Sequence, residues 1–126
     1  MTVPGISDSS PPLRCTIEEE SGASVLHVSG ELDMATAPSL DAAFRGLNEQ
    51  DTHVIADLTG VSYCDMSGVR LLEQIYRDLR GRGRLLVLVT PPGIIRRVFA
   101  MIEMEKHVAI VPTRAEAHAL LHRPES

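Results

Sequence analysis

The residues of this chain whose types and spacing could do chemistry converge on Asp57-Leu58-Thr59-Gly60-Val61-Ser62-Tyr63-Cys64-Asp65-Met66-Ser67-Gly68-Val69. A short apolar run leads into this stretch and an amphipathic helical pattern leads out of it, which puts Ser67 close to a helix N-terminus. A serine there can cap the helix. A phosphate on its hydroxyl would meet unpaired N–H groups and the positive end of the helix dipole. It would add about −1.5 to −2 charge and three acceptor oxygens, changing a surface while leaving the fold intact. Opposite an acidic or tightly packed partner, that change could remove several kcal/mol of binding through repulsion and unpaired desolvation. On these residues alone an ordinary helix cap is the simpler account, because short motifs arise often by chance.

Other residues with chemical potential have plainer readings. His118 and His122 have the i, i+4 spacing of a metal half-site, but no third ligand stands nearby, so a solvated helix face is expected and no metal. Arg77, Arg80, Arg82 and Arg84 surround the end of a helix, where cations complement the negative pole; phosphate binding is the alternative. Cys64 stands beside Asp65, whose charge disfavours a thiolate, so it reads as a buried small hydrophobe. Ile94, Ile95, Met101 and Met104 make one helix apolar around more than a single stripe; core packing explains most of them, and any remainder would face a partner or a second copy. There is no Walker loop or dinucleotide fingerprint, and no Ser-His-Asp arrangement can be inferred, so neither catalysis nor a cofactor is expected.

The elements that must position these residues follow from periodicity. Residues 1–12 mix Ser, Pro, Gly and Asp and read as a flexible tail, 13–122 as the folded domain and 123–126 as a C-terminal tail. Leu13, Cys15 and Ile17 alternate with polar residues, and Ser21-Gly22 marks a turn before Val25 to Val28: a β-hairpin. Thr36 is placed to cap a first helix, with Pro38 in its first turn and Leu40, Ala43, Phe44 and Leu47 along its apolar side. His53 to Leu58 predicts a short buried strand, Thr59 to Ser67 a connection, and Leu71 to Leu79 a helix that stops at Gly81 and Gly83. Leu85 to Val89 predicts a strand covered on both faces. A helix around Ile94 to Ile102, a strand at Val108 to Val111 and a last helix from Thr113 to Leu121 complete the order ββαβαβαβα. Successive right-handed crossovers make this an α/β fold with a mainly parallel mixed sheet packed with helices.

Composition narrows the function classes. A chain of 126 residues suits one domain. A net charge of −5 argues against a nucleic-acid backbone as ligand, and four aromatic residues give no stacking platform. No stretch reaches the ~18 apolar residues of a membrane span, there is no signal-peptide pattern, and two cysteines suit a reducing compartment, so a cytoplasmic protein is expected.

From Leu13 to Leu121 the chain resembles the STAS domain, above all stand-alone bacterial anti-sigma factor antagonists. Three segments carry the resemblance: Gly30-Glu31-Leu32-Asp33; His53 to Leu58 leading to Val61-Ser62-Tyr63-Cys64-Asp65-Met66-Ser67-Gly68; and Leu85 to Val89 followed by a helix and Val108-Ala109-Ile110-Val111. The resemblance implies the STAS fold and places the family's phosphorylated serine at Ser67. It implies partner switching: the unphosphorylated protein binds an anti-sigma factor with a GHKL-type serine kinase domain, which releases its sigma factor; that kinase phosphorylates Ser67 and a PP2C-type phosphatase resets the cycle. The implied partner face comprises Asp33, Met34 and Thr36 beside Asp65, Met66 and Gly68, although on spacing alone Asp33 is equally a turn residue. Met66 replaces the small hydroxylated residue often found before the phosphoacceptor, widening the apolar contact. A monomer or weak dimer is expected.

Two other readings compete. A nucleotide-sensing or scaffold STAS domain shares the fold without a kinase partner. A phosphoaspartate receiver domain would use Asp57 at the end of a buried strand, but Glu18-Glu19-Glu20 lie in the hairpin rather than before a helix, and Lys106 is the only lysine.

Overall fold

The computed structural model describes residues 13–47 and 52–122; the expected tails at 1–12 and 123–126 lie outside the described residues. The elements are β1 (Leu13–Glu20), β2 (Ala23–Leu32), α1 (Ala37–Arg45), β3 (His53–Cys64), α2 (Met66–Arg80), β4 (Leu86–Val89), α3 (Ile94–Met101), a 3₁₀ turn (Met104–Lys106), β5 (Ala109–Val111) and α4 (Arg114–Leu121). The sheet order is β1-β2-β3-β4-β5. β1 runs antiparallel to β2 and the remaining pairs are parallel, as the ββαβαβαβα order requires. Ser21 (φ 53°) and Gly22 (φ 84°) both adopt positive φ, the conformation a two-residue hairpin turn needs.

Side-chain alternation divides the sheet. Leu26, Val28, Val54, Ala56, Leu86 and Leu88 join Leu40, Phe44, Leu72, Ile75 and Phe99 from α1, α2 and α3 in the larger core. Val25, Ile55, Val87 and Val89 point the other way and are covered by Ala117, Leu120 and Leu121 of α4. This is why Leu86–Val89 is buried at every position.

Four details depart from the sequence reading. The strand beginning at His53 does not stop at Leu58 but continues to Cys64, because β2 extends beyond β4 and supplies partners for Gly60, Val61, Tyr63 and Cys64. Two register shifts give β3 an extra residue against β2 each time, between His27/Ser29 and between Gly30/Glu31, so the end of the pair is bulged. Arg84 is not a surface cation at the end of α2. It is 4% exposed and donates from Nε to the Thr52 carbonyl (2.6 Å) and from Nη2 to that of Leu47 (3.3 Å).

His118 is likewise no solvated side chain: its Nε2 lies 2.7 Å from Glu20 Oε1, in a charged cluster where Arg114 reaches Glu18, Glu20 and Asp57. The Glu20 carboxyl is held below its ordinary range, first by the His118 hydrogen bond and then, against some desolvation, by Arg114. The four apolar residues expected on one helix do not share it: α3 ends at Met101 and Met104 lies in the following 3₁₀ turn. Ile95 and Met104 are buried, whereas Ile94 and Met101, seven residues apart on one side of α3, are exposed.

Candidate functional site

The site forms where β2 and β3 end side by side. Leu32 pairs with Cys64, and the Asp65 N–H donates to the Leu32 carbonyl at 3.1 Å, so the loop after β2 and the start of α2 are locked together. Asp33 shapes the first loop: its Oδ1 accepts from the N–H groups of Ala35 (2.9 Å) and Thr36 (3.0 Å). Thr36 occupies the N-cap position of α1 without capping it. Its hydroxyl instead donates to the Glu31 carbonyl (2.7 Å) and accepts from the Asp33 N–H (2.9 Å), because a side chain 4% exposed is committed to the loop beneath it. Pro38 does sit in the first turn.

At the start of α2 the capping role belongs to Asp65 rather than Ser67. Asp65 Oδ1 accepts from the N–H groups of Ser67 (2.8 Å) and Gly68 (3.2 Å), and Ser67 stands inside the first turn. The amides expected to be free for a phosphate are therefore already engaged by a carboxylate. The Ser67 hydroxyl, partly exposed, makes no hydrogen bond among the described residues. It borders a shallow depression lined by Met34, Ala37, Pro38, Asp41, Ser67 and Leu71. Removing the cap with Asp65→Ala is expected to destabilise the protein by about 1 kcal/mol in a urea titration, with Asp65→Asn recovering most of it.

The structure brings the expected residues together at different depths. Met34 (76% exposed) and Met66 (47%) present apolar surface, Asp33 and Asp65 are half-buried, and Thr36 and Gly68 lie underneath. A Cβ at Gly68 would come within 2.6 Å of Leu32 Cγ and 2.9 Å of Cys64 Sγ, so Gly68 sets how closely α2 approaches β2. Ala37, Pro38, Asp41 and Leu71 were missed by sequence reasoning. Leu71 was findable, because it follows Ser67 by four residues on one helix face; the α1 residues were not, since only the α1–α2 packing brings them there.

Cys64 is a buried hydrophobe, as expected. Burial pushes its thiol up to about 12, with a smaller contribution from Asp65. A raised thiol pKa means that the unfolded chain ionises first: no penalty exists below pH 9, and stability is lost from about pH 9 to about pH 12. Cys64→Ala should accordingly flatten the alkaline stability profile by about 1.4 kcal/mol per pH unit in that window, read as the difference between wild-type and variant urea midpoints.

Residues 14–117 match the sequence profile of the STAS domain. The chain belongs to the STAS domain family. Over 80 residues it is 34% identical to the anti-sigma-B factor antagonist of Listeria monocytogenes, covering 63% of this chain and 68% of that one. Among solved structures, an anti-sigma factor antagonist from Mycobacterium paratuberculosis superposes with a TM-score of 0.80 at 27% identity, covering 86% of this chain and 93% of that chain. SpoIIAA, an anti-sigma factor antagonist solved in its unphosphorylated form, shares the fold at a TM-score of 0.66 and 23% identity, over 88% of this chain and all of that one. No helix among the described residues is long and apolar enough to cross a membrane.

Proposed function

We propose that this STAS domain is an anti-sigma factor antagonist whose partner face is built from Asp33, Met34, Thr36, Asp65, Met66 and Gly68 around a phosphorylatable Ser67. The observation that carries the reading is the Ser67 hydroxyl itself: unbonded, partly exposed and fixed in the first turn of a capped helix beside the exposed side chains of Met34 and Met66. The likeness to proteins named as antagonists supports the class of partner, an anti-sigma factor. In this reading the anti-sigma factor carries a GHKL-type serine kinase domain, a PP2C-type phosphatase reverses the modification, and the antagonist is a substrate rather than an enzyme.

The face suits such a role physically. Exposed methionines supply adaptable apolar contact, while Asp33 and Asp65 hold the backbone of both loops in one shape before any partner arrives, which lowers the ordering cost of binding. A phosphate on Ser67 would find the Ser67 and Gly68 amides occupied by Asp65 and a second carboxylate, Asp41, across the depression. The added charge would therefore remain largely directed outward, toward the partner. The phosphoaspartate alternative fits less well, because the Asp57 carboxylate accepts from Thr59 and faces Arg114 and His27 at the side covered by α4.

The test is capture from native extract with wild-type and Ser67→Ala baits, followed by incubation of the captured complex with ATP. The proposal expects both baits to retain a GHKL-type kinase, and mass spectrometry to find phosphate on Ser67 of the wild type alone. Capture of no such kinase by either bait, or phosphate placed elsewhere, overturns it.

A further inference from the structure

A second cleft, sharing no lining residue with the Ser67 depression, opens just past the C-terminal end of β4, beside the stretch Leu58 to Ser62 by which β3 outruns it. Open parallel sheets bind ligands at this end of their strands. Its walls are largely apolar, with Leu58, Val61 and Pro92 prominent, and three hydroxyls line it: Thr59, Ser62 and Thr90. Two are committed. Thr59 donates to Asp57 Oδ1 (2.5 Å) and Ser62 to the Gly30 carbonyl (3.3 Å). The third is not: Thr90 is 1% exposed, and its buried Oγ1 has no hydrogen-bond partner among the described residues. An unsatisfied buried hydroxyl costs free energy and calls for an explanation, and a ligand that completes it is one.

The same cleft contains the N-terminus of α3. The first hydrogen bond there runs from Arg97 N–H to the Gly93 carbonyl (3.0 Å), so the amides of Ile94, Ile95 and Arg96 precede any intrahelical bond. Gly93 offers no capping side chain, and the first turn has no acidic residue. It carries Arg96 instead, whose Nη1 donates to the Thr90 carbonyl (3.3 Å). A cation at the positive end of a helix opposes the dipole. An anion at the helix N-terminus would reverse that sign and accept from the unfilled amides; Arg96, which adjoins the cleft through its bond to Thr90 rather than lining it, would have its remaining N–H groups to reach the anion. Pro91 and Pro92 stiffen the approach, and at Gly93 (φ 154°) a Cβ would meet nothing within 4 Å, so the backbone there is open.

We propose that this cleft binds a phosphate group, held by the α3 N-terminal amides, the Thr90 hydroxyl and the Arg96 guanidinium. A phosphate has enough oxygens to accept from all three kinds of donor, and its tetrahedral form suits convergent rather than planar donors. The apolar walls leave room for the organic part of a phosphate monoester, although free phosphate has the same head group. This site is independent of partner switching at Ser67.

The experiment is an amide-resolved NMR titration of the whole chain with inorganic phosphate and, separately, phenyl phosphate, at ionic strength held constant with chloride. Saturable shifts at Ile94, Ile95 and Arg96 are expected with at least one probe, weakened about tenfold by Thr90→Val or by Arg96→Gln. Tighter binding of phenyl phosphate identifies a monoester as the natural ligand; equal or weaker binding identifies free phosphate. Since Thr90→Val removes an unpartnered hydroxyl at nearly constant volume, it should fold; Arg96→Gln tests the same site should it not. The proposal is overturned if neither probe gives saturable shifts at these amides, or if binding is indifferent to the variants that fold.

Discussion

Phosphorylated on Ser67, the protein is expected to keep its fold and lose about a hundredfold in affinity for its anti-sigma factor. The size follows from like-charge contact and desolvation at an interface, which cost several kcal/mol when a charge is left unpaired; a hundredfold is about 2.7 kcal/mol. The direction follows from the geometry. Asp65 already accepts from the two amides nearest Ser67, so the phosphate cannot be neutralised by the helix end as a free N-terminus would neutralise it. Calorimetric titration of the anti-sigma factor with the stoichiometrically phosphorylated protein measures the loss, and circular dichroism checks the fold. Ser67→Ala should bind as wild type does and remain insensitive to kinase and ATP. Equal affinity of the phosphorylated and unphosphorylated forms would falsify the switch while leaving the binding face standing.

Gly68→Ala is expected to destabilise the protein by about 1 to 3 kcal/mol in chemical denaturation. Helix propensity alone points the other way, since alanine inside a helix is favoured over glycine by about 1 kcal/mol. Packing wins because the new methyl would lie 2.6 Å from Leu32 Cγ and 2.9 Å from Cys64 Sγ, and both side chains are buried. A double-mutant cycle separates the two effects. Leu32→Ala alone should destabilise by about 2 to 5 kcal/mol through its cavity, whereas the pair should cost clearly less than the sum of the single variants, because the added methyl occupies the vacated space. Strict additivity would show that Gly68 is not held by Leu32. The α2 start would move with the overpacked variant, so a partner that reads Asp65 and Met66 should bind Gly68→Ala more weakly than wild type at temperatures where both are folded.

The sequence was most legible where one physical signal dominated. Ser21-Gly22 read as a turn and became the hairpin turn with positive φ at both positions; the Leu85 to Val89 run became a strand buried on both faces from Leu86 on, with Leu85 left exposed outside it; Gly81 and Gly83 ended α2. It was least legible where two signals competed for one role. Thr36 and Ser67 both looked like caps, yet in each loop an aspartate a few residues earlier holds the amides, Asp33 before Thr36 and Asp65 before Ser67. A carboxylate is the stronger acceptor, but which side chain turns inward depends on the direction in which the preceding strand delivers the chain. The length of β3 was hidden for a related reason. Thr59-Gly60 breaks the apolar pattern and reads as a loop, and only the bulged pairing with β2 keeps those residues in the sheet.

His118 and Arg84 show the same boundary. Their neighbours in sequence suggest solvent, whereas their partners, Glu20 for one and the carbonyls of Leu47 and Thr52 for the other, come from distant parts of the chain. Periodicity, turn chemistry and residue type by themselves determined the order of elements and the α/β architecture, because those signals act between residues a few positions apart; the segment around Ser67 stood out through the family resemblance rather than through these signals alone. The tertiary structure alone decided which groups cap the helices, which arginine is buried, how deep each residue of the Ser67 face lies, and that Thr90 meets the first turn of α3 in a cleft. Each of these depends on strands and helices packed from separate parts of the chain, whose contacts no local pattern encodes.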